Sequence, residues 1–453
     1  MKRWCSSLNA ILRTKRSTAL VFLWAIVIVL YFNAKAPVSM LADWTHDDLM
    51  NCYRAVDTPW QKMLTDIVFF WKPSNLFRPL GELLYKVGFA YSGFNMWPWR
   101  LVISGILILN AFLLGHLAMR LSNSLAYSLA VTAIASYHPH WFQLYINSGT
   151  VFETLAFTFV FAGLACYVEF HDRKWVLIAT ALLYVLGLNS KESVIVLPVF
   201  LVLYDWLWHK RLDWKLCTLF GAISLAFIFG RVYGPNGLST IGQYQPTYSL
   251  ATYLSRFQTY FSTLILWRAA PLWAAVVIAS LPLLLCRNRM AAFACLIFPI
   301  GILPLAFVPE RGLDGVYVAC AGLALGLSCV LLLLPKESWR LAATVALLAA
   351  LMIWTPARRD LNGIEREFQM IHRFRETLST AAPTLPLGTQ IRFLREPFRP
   401  EFESWASVFI TRLLYRDFTI DVVAPNNPTT KDWTADRDYA VFDWRDDKVV
   451  RIK

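Results

Sequence analysis

Long apolar runs separated by short polar stretches fill most of the first 355 residues of this 453-residue chain. Many of these runs approach the ~20 residues with which an α-helix crosses a bilayer. The pattern predicts an all-α polytopic membrane domain over residues 1–355, with about eleven transmembrane helices. The predicted spans lie roughly at 18–35, 100–119, 123–138, 149–169, 174–189, 191–208, 214–233, 269–286, 291–308, 314–334 and 339–355.

The stretch 250–268 leaves two interpretations open. Counted as a twelfth span, it would move the basic loop "CRNRM" and the later basic loops to the other side of the membrane. We therefore favour an interfacial or partly inserted helix for this stretch.

Two longer segments fall outside the predicted spans. In 36–98, the stretches "WQKMLTDIVFFW" and "LFRPLGELLYKVGFAY" repeat apolar residues at three- and four-residue steps. This spacing predicts two amphipathic helices that lie on the membrane. In 356–453, a striped helix is followed by a further helix and short strands, which predicts a small extracytoplasmic α/β domain. The stripe consists of Leu361, Ile364, Phe368, Ile371, Phe374 and Leu378.

Composition agrees with the apolar pattern. The chain is 57% hydrophobic and 16% charged, whereas a soluble domain is typically about 45–50% apolar and about 25% charged. The net charge of +13 would suggest a nucleic-acid partner only if its placement were ignored. Much of it lies before the first predicted span and in alternate short loops, so the membrane accounts for it and no nucleic-acid partner is expected.

The placement of basic residues also predicts the orientation. Lys2, Arg3, Arg13, Lys15 and Arg16 precede the first predicted span. Such a basic segment holds an N-terminus in the cytoplasm, and eleven spans then place the C-terminus outside. The sequence has no N-x-[ST] glycosylation site, which favours a bacterial inner membrane over an endoplasmic one.

Acidic residues are concentrated just after the first predicted span. Asp43, Asp47, Asp48 and Asp57 fall in a predicted outer loop. Asp43 and Asp57 are explained most simply as helix-capping residues in a solvated loop. The adjacent pair Asp47–Asp48 is less ordinary, because neighbouring carboxylates near an apolar boundary raise the pKa of one of them, which suits a general base.

A second concentration of charge lies in "NSKES", at the start of a predicted span. Lys191 and Glu192 are interpreted either as anchors that reach the membrane surface or as a buried ion pair at a cavity mouth. In the second interpretation Lys191 faces an anion. Arg78 comes just before Pro79 at the start of a predicted amphipathic helix.

Two further predicted loops hold polar side chains. "LPLAFVPERGLDGVYV" contains Glu310, Arg311, Asp314 and Tyr317 between two predicted spans. "ASYHPHWFQLYINSGTVFE" contains His138, His140, Asn147 and Glu153. Two histidines and a carboxylate would suit zinc, but His-Pro-His is not the helical spacing of a zinc site, and we assign no metal there.

The order of these motifs resembles the GT-C glycosyltransferases that use polyprenyl-phosphate sugars. The resemblance rests on "DD", "FRPLGELLYK", "HPHW", "NSKES" and "LPLAFVPERGLDGVYV" and covers about 36–320. It is similar in particular to the branch that includes protein O-mannosyltransferases and bacterial surface-glycan modifying enzymes. The resemblance implies a bundle of eleven to thirteen spans with two juxtamembrane helices in the first outer loop.

The resemblance also implies a catalytic carboxylate in that loop. The matching positions are Asp47 and Asp48, of which we favour Asp47. Many relatives have an Asp-Glu pair where this chain has Asp-Asp, and the tail lacks both a TPR array and a β-trefoil. These departures leave the identity of the base and of the acceptor open.

Together these features predict an integral membrane, inverting glycosyltransferase. Its donor would be a polyprenyl-phosphate-linked sugar and its acceptor a glycan, lipid or protein at the outer face of the lipid bilayer. Asp47 or Asp48 would act as the base, and a divalent metal is compatible with the chemistry but not required. The predicted substrate-binding residues are Arg78, His138, Lys191, Glu192 and Arg311, with the cations on the phosphate and Glu192 holding Lys191.

The main alternative is a transporter or flippase for a lipid-linked sugar or small anion. It too would place charges near membrane cavities. The sequence shows no paired inverted halves, and its acidic residues lie in a long loop, not at mid-membrane. A non-catalytic scaffold that binds through the tail is the third interpretation.

Overall fold

A computed structural model describes residues 2–35, 43–72, 78–235, 237–266, 269–309, 311–357, 362–399, 405–425 and 439–453. The described chain is mostly helical and ends in a small sheet. Its α-helices are Lys2–Lys35, His46–Asp57, Trp60–Val68, Pro79–Ser92, Trp97–Ser122, Leu125–Ser136, Phe142–Ile146, Val151–Glu169, Val176–Leu188, Leu197–Tyr204, Trp214–Phe227, Leu250–Leu266, Leu272–Cys286, Arg289–Gly301, Leu303–Ala306, Tyr317–Cys329, Glu337–Ala357, Asn362–Ala381 and Ala406–Tyr415.

Seven helical segments in the described residues are long and apolar enough to cross a membrane. This confirms an integral membrane protein, and each segment corresponds to a predicted span. They are Arg16–Lys35, Trp97–Ser122, Ser148–Glu169, Glu192–His209, Trp214–Val232, Arg289–Ala306 and Leu313–Leu333.

The other predicted spans are also helical. Three form shorter apolar helices, Leu125–Ser136, Val176–Leu188 and Leu272–Cys286. The run at 339–355 lies in the helix Glu337–Ala357. The stretch 250–268 forms the helix Leu250–Leu266, which has 17 residues.

The first long helix shows how the bundle meets lipid. Leu20, Leu23, Val27 and Leu30 follow one another at three- and four-residue steps, and each side chain is about half exposed. On the other side of the same helix, Val21, Ala25 and other residues are fully buried. Because soluble proteins rarely expose a contiguous apolar stripe, this surface fits contact with hydrocarbon.

The two predicted amphipathic helices are present as Trp60–Val68 and Pro79–Ser92. On the first, Trp60, Leu64 and Val68 recur at four-residue steps and are 46%, 53% and 63% exposed. Met63 and Asp66 are buried on the opposite side. An exposed apolar face on a helix beside a membrane bundle is typical of a helix that lies in the membrane–water interface.

The C-terminal segment forms the predicted small α/β unit. Its strands are β1 Gln390–Phe393, β2 Asp421–Val423, β3 Tyr439–Arg445 and β4 Lys448–Arg451, in the order β2-β1-β3-β4. β1 is parallel to β2 and β3, and β4 is antiparallel to β3. The predicted stripe is buried at Phe368, Ile371, Phe374 and Leu378. Leu361 and the side chain of Ile364 lie outside the described residues.

One apolar core joins the α/β unit to the loop after the first span. Leu49, Tyr85 and Phe89 of the loop belong to the same buried cluster as Phe374 and Ile391 of the unit. Polar contacts reinforce this junction, so both segments lie at one end of the bundle, hereafter the α/β end. The contacts are Asp43 Oδ2 to His372 Nδ1 at 2.8 Å, Arg375 to Asp43 Oδ1 at 3.1 Å, and Arg412 to the Tyr53 hydroxyl at 2.6 Å.

Candidate functional site

The predicted carboxylate pair lies at the start of the helix His46–Asp57. Thr45 is the N-cap, and its hydroxyl accepts a hydrogen bond from the Asp48 backbone N–H at 3.2 Å. The Asp48 carboxylate in turn accepts from the Thr45 backbone N–H at 2.9 Å. This reciprocal pair is a capping box, which satisfies two backbone donors that a helix start leaves open.

Asp48 is fully buried by this arrangement. Its other carboxylate oxygen accepts a hydrogen bond from the Tyr85 hydroxyl at 2.7 Å. Burial raises the pKa of Asp48, and the nearby Arg100 guanidinium and the bonds from Thr45 and Tyr85 oppose that shift. Both oxygens therefore have structural partners, and Asp48 holds the helix start in place.

This result changes the predicted division of roles among the acidic residues. Asp43 was expected to be a helix cap, but the capping carboxylate is Asp48. Asp43 instead joins the loop to His372 and Arg375 of the α/β unit. Asp57 is the last residue of the helix and is exposed.

The Asp47 side chain differs from that of Asp48 in both its exposure and its contacts. Its side chain is exposed and makes no hydrogen bond or ion pair with any described residue. It lies beside Gly149, where an added Cβ would stand 3.0 Å from the Asp47 Cβ and 2.8 Å from Asn147 Oδ1. Glycine at 149 therefore lets the start of this helix approach the start of the span Ser148–Glu169, while the Asp47 side chain stays exposed.

The predicted cations lie in two ion pairs close to the same span. Arg78 donates to Glu192 through Nε at 3.2 Å and through a terminal nitrogen at 2.8 Å. Lys191 pairs with Glu153, and both side chains are buried. The sequence interpretation paired Glu192 with Lys191, but Lys191 is extended before the short helix Glu192–Val196, so the adjacent side chains find different partners.

Burial and charge set the protonation of the two cations. Burial lowers the pKa of Lys191 to about 8, and Arg78 adds to that effect, whereas the Glu192 carboxylate opposes it. Burial alone would lower the pKa of Arg78, but Glu192 and Tyr244 raise it. Arg78 therefore stays charged, and Lys191 is poised near neutral pH.

The carboxylate and the cations meet along the start of one span. Asp47 lies at Gly149, the Arg78 guanidinium carbon lies 5.3 Å from the centre of the Phe152 ring, and Lys191 pairs with Glu153. Gly149 and Glu153 are four residues, about one helical turn, apart in the segment Ser148–Glu169. The positions that Asp47, Arg78 and Lys191 contact thus lie within about one turn of this segment.

Arg311 completes the cation group through Tyr244. Its guanidinium carbon lies 4.1 Å from the centre of the Tyr244 ring, and Tyr244 also helps to raise the pKa of Arg78. Arg311 acts electrostatically on Lys191 as well. Glu310, predicted in the same loop, lies outside the described residues.

An apolar cavity of about 230 Å³ opens beside these charges. Glu192 and Tyr244 form its polar side, and its other walls are mainly apolar and aromatic. It shares Tyr248, Leu303 and Phe307 with an adjoining open hollow of about 400 Å³. An apolar space with a few polar groups at one side is typical of a ligand site.

His138 lies apart from this group. Its Nε2 lies 3.0 Å from the Leu264 carbonyl oxygen, and His140 Nε2 lies 3.3 Å from the Thr263 carbonyl oxygen. Burial and the neighbouring His140 lower the pKa of His138 to about 3, so its ring is neutral. His138 lines a separate apolar cavity of about 420 Å³ together with Trp141. The structure therefore does not bring His138 to Arg78, Lys191 and Arg311.

Sequence reasoning missed Glu82, one helical turn after Arg78. Glu82 is fully buried, bonds to Arg54 at 2.9 Å and has one carboxylate oxygen without a hydrogen bond among the described residues. Burial raises its pKa to about 7, while Arg54 and Arg78 oppose the shift. The signal was its four-residue spacing from Arg78, which places both on one side of a helix that was interpreted only as amphipathic.

Tyr85→Phe is expected to lower the free energy of unfolding by about 1.5–3 kcal/mol, because it removes one hydrogen bond to the buried Asp48 carboxylate. Thermal unfolding in detergent measures the effect. Tyr91→Phe is the control, since Tyr91 lies on the same helix and is 85% exposed. Equal stability of the two variants would contradict the structural role of Asp48.

Glu82→Gln is expected to flatten the dependence of stability on pH. Folding raises the pKa of Glu82 from 4.5 to about 7, so the folded chain keeps a proton that the unfolded chain has lost. Stability therefore falls between these pH values, by about 3 kcal/mol in total. Unfolding at pH 5 and pH 8 tests this, with the exposed Glu365→Gln as control. An unchanged slope in Glu82→Gln would be the contrary result.

No protein-family model matches the chain, and no curated protein matches it. The likeness to GT-C glycosyltransferases therefore rests on the sequence motifs.

Proposed function

We propose that this protein is an integral membrane glycosyltransferase that moves a sugar from a polyprenyl-phosphate-linked donor to an acceptor hydroxyl on a glycan, lipid or protein. One observation carries the proposal. Exposed Asp47, half-buried Arg78 and buried Lys191 contact residues 149, 152 and 153 at the start of one span, and Glu192, the partner of Arg78, lines an apolar cavity. These contacts support the proposal of a base, an anion-binding group and a space for lipid at one end of the bundle.

The reaction uses the two charged groups on opposite sides of the sugar. The acceptor hydroxyl attacks the anomeric carbon as the bond from that carbon to the phosphate oxygen breaks. Asp47 takes the hydroxyl proton, and the electron pair of the broken bond leaves with the polyprenyl phosphate. A single displacement of this kind inverts the anomeric centre.

The cations stabilise the departing phosphate. Arg78 and Lys191 are already paired with Glu192 and Glu153, which orients the two side chains. Charge-assisted hydrogen bonds from arginine and lysine to phosphate are about twice as strong as neutral ones. Arg311 adds a third positive charge across the Tyr244 ring.

The lipid tail of the donor would occupy the apolar space beside these cations. The cavity of about 230 Å³ begins at Glu192 and Tyr244, and the hollow of about 400 Å³ continues it past Tyr248 and Phe307. Both spaces are lined mainly by apolar groups, so the prenyl chain would extend away from the phosphate into surroundings like its own.

The proposed topology has eleven spans, with the N-terminus in the cytoplasm and the α/β end on the outer face of a bacterial inner membrane. The support is the charge at the opposite end of the bundle, where basic residues cluster next to the spans. The seven long segments are joined by the three shorter apolar helices and by Glu337–Ala357. The basic residues are Arg120, Arg173, Lys174, Lys210, Arg211, Lys215, Arg287, Arg289, Lys336 and Arg340.

The α/β unit is proposed to recognise or gate the acceptor. It packs on the helix that carries Asp47, and the backbone N–H of His46 donates to Glu367 of the unit at 3.3 Å. Deletion of the unit would also remove half of a shared core. Substitutions on its exposed surface are therefore the cleaner test of acceptor choice.

The direct test is sugar transfer by the purified full chain in lipid nanodiscs. Polyprenyl-phosphate sugars labelled in the sugar are supplied with an extract of surface glycans, and products are identified by mass spectrometry. Labelled sugar on an acceptor together with free polyprenyl phosphate supports the proposal. Movement of the intact donor across a vesicle membrane without any transfer would favour the transporter alternative instead.

A further inference from the structure

A second group of polar side chains lies at the end of the bundle opposite the α/β end. His171 follows the span Ser148–Glu169, and Asp205 and His209 end the span Glu192–His209. One potential ligand atom from each of these three side chains lies within 4.8 Å of the others. We infer that His171, Asp205 and His209 bind one divalent transition-metal ion of the zinc class.

The first argument is the chemistry and spacing of the ligand atoms. Two imidazoles and one carboxylate form a common zinc ligand set, with bonds of about 2.0–2.2 Å and a fourth position open to water. In a tetrahedron with bonds of about 2.0 Å, neighbouring ligand atoms are about 3.3 Å apart. His171 Nε2 and Asp205 Oδ1 are 3.2 Å apart, which matches one edge of that tetrahedron.

The second argument is a buried nitrogen without a hydrogen bond. His171 Nδ1 is buried and makes no hydrogen bond within the described part of the chain. Its closest charged neighbour is the Asp172 carboxylate at 3.5 Å, on a fully exposed side chain. Among the described residues, the contact from Nε2 to Asp205 therefore orients this ring, and it presents Nε2 as the ligand atom.

The third argument is the support around the ligands. Asp205 is almost fully buried, and the Tyr167 hydroxyl donates to its other oxygen at 2.9 Å. Metal-binding carboxylates are commonly held by such a second hydrogen bond. Residues Asp205–His209 form a π-helical turn. This conformation is rare in proteins, and where it occurs it is often part of a functional site.

His209 supplies the movable ligand. Its ring is stacked on that of His171, with centroids 4.0 Å apart and planes 9° apart. One of its ring nitrogens already lies within 4.8 Å of the ligand atoms of His171 and Asp205, and the side chain is exposed and so has room to turn.

The site lies away from Asp47 and therefore does not depend on the proposed transfer reaction. A metal bound there would tie the end of one span to the end of another. Such an ion would hold the bundle together at this end, and its loss would be read in stability and not in the acceptor chemistry.

The test is zinc binding by the full chain, purified in detergent with an affinity tag that contains no histidine and stripped with EDTA. Isothermal titration with Zn²⁺ is expected to show one ion per chain, and zinc is expected to raise the midpoint of thermal unfolding. His209→Ala and His171→Ala are expected to lose both effects. Tyr167→Phe, which removes only the bond to Asp205, is expected to weaken binding by about 10- to 100-fold.

His140→Ala is the matched control, because His140 is a partly buried histidine bonded to a backbone carbonyl at the α/β end. It is expected to bind zinc like the unmodified chain. Because His209 is exposed, His209→Ala keeps the fold, which its unfolding in EDTA verifies. The inference is overturned if the unmodified chain binds no zinc, or if His209→Ala and His171→Ala bind it with unchanged affinity.

Discussion

Asp47→Asn is expected to reduce sugar transfer by about 10²- to 10⁴-fold, the usual contribution of a positioned general base. Asparagine has nearly the same shape but cannot take the proton of the acceptor hydroxyl. Because Asp47 is exposed and has no partner among the described residues, the change should leave the fold intact. The measurement is the rate of label transfer per folded protein, at saturating donor.

Asp57→Asn is the matched control for this experiment. Asp57 is an exposed carboxylate at the other end of the same helix, so it tests whether loss of negative charge on that helix is sufficient. Full activity of Asp57→Asn with loss in Asp47→Asn supports the assignment. Normal transfer by Asp47→Asn would remove Asp47 from the mechanism and would redirect attention to Glu82.

Lys191→Met is expected to reduce both stability and transfer. It leaves Glu153 buried without its cation, and breaking a buried ion pair from one side costs about 3–5 kcal/mol. It also removes one positive charge from the proposed phosphate site. Thermal unfolding and label transfer measure the two effects on the same preparation.

The double variant Lys191→Met with Glu153→Gln separates these effects. Stability should largely return, because no unpaired charge stays buried, whereas transfer should stay low. Lys62→Met is the control, since Lys62 forms an ion pair at the same end but is about half exposed, and such pairs contribute about 0–1 kcal/mol. Recovery of both stability and transfer in the double variant would show that Lys191 is only structural.

The fold could be predicted from the sequence wherever apolar residues recurred with a single clear spacing. Apolar runs located the spanning helices, and the stripe from Phe368 to Leu378 located the helix that packs on the sheet. The lengths of the helices were harder to predict. The residues 123–138 are mainly apolar, so their composition does not indicate the position at which the helix ends and the backbone turns. There the helix ends at Ser136, before the short helical turns that follow.

The site was predicted in its residue types but not in its pairings. Motif order identified Asp47, Arg78 and Lys191, yet a sequence cannot show that residue 78 faces residue 192. The roles of Asp47 and Asp48 could not be separated either, because both are acidic residues in the first turn of one helix. Only burial and the bond from Tyr85 show that Asp48 is structural.

The core shared by the first loop and the α/β unit has a consequence for biosynthesis. Asp43 and Arg375 are 332 residues apart in the chain, and the helix that carries Asp47 packs on segments synthesised last. A ribosome-bound chain that has inserted every span still lacks half of that core. The shared core is therefore completed only after the α/β unit has been translated, and a late nonsense codon would yield an inserted protein whose loop after the first span lacks half of its core.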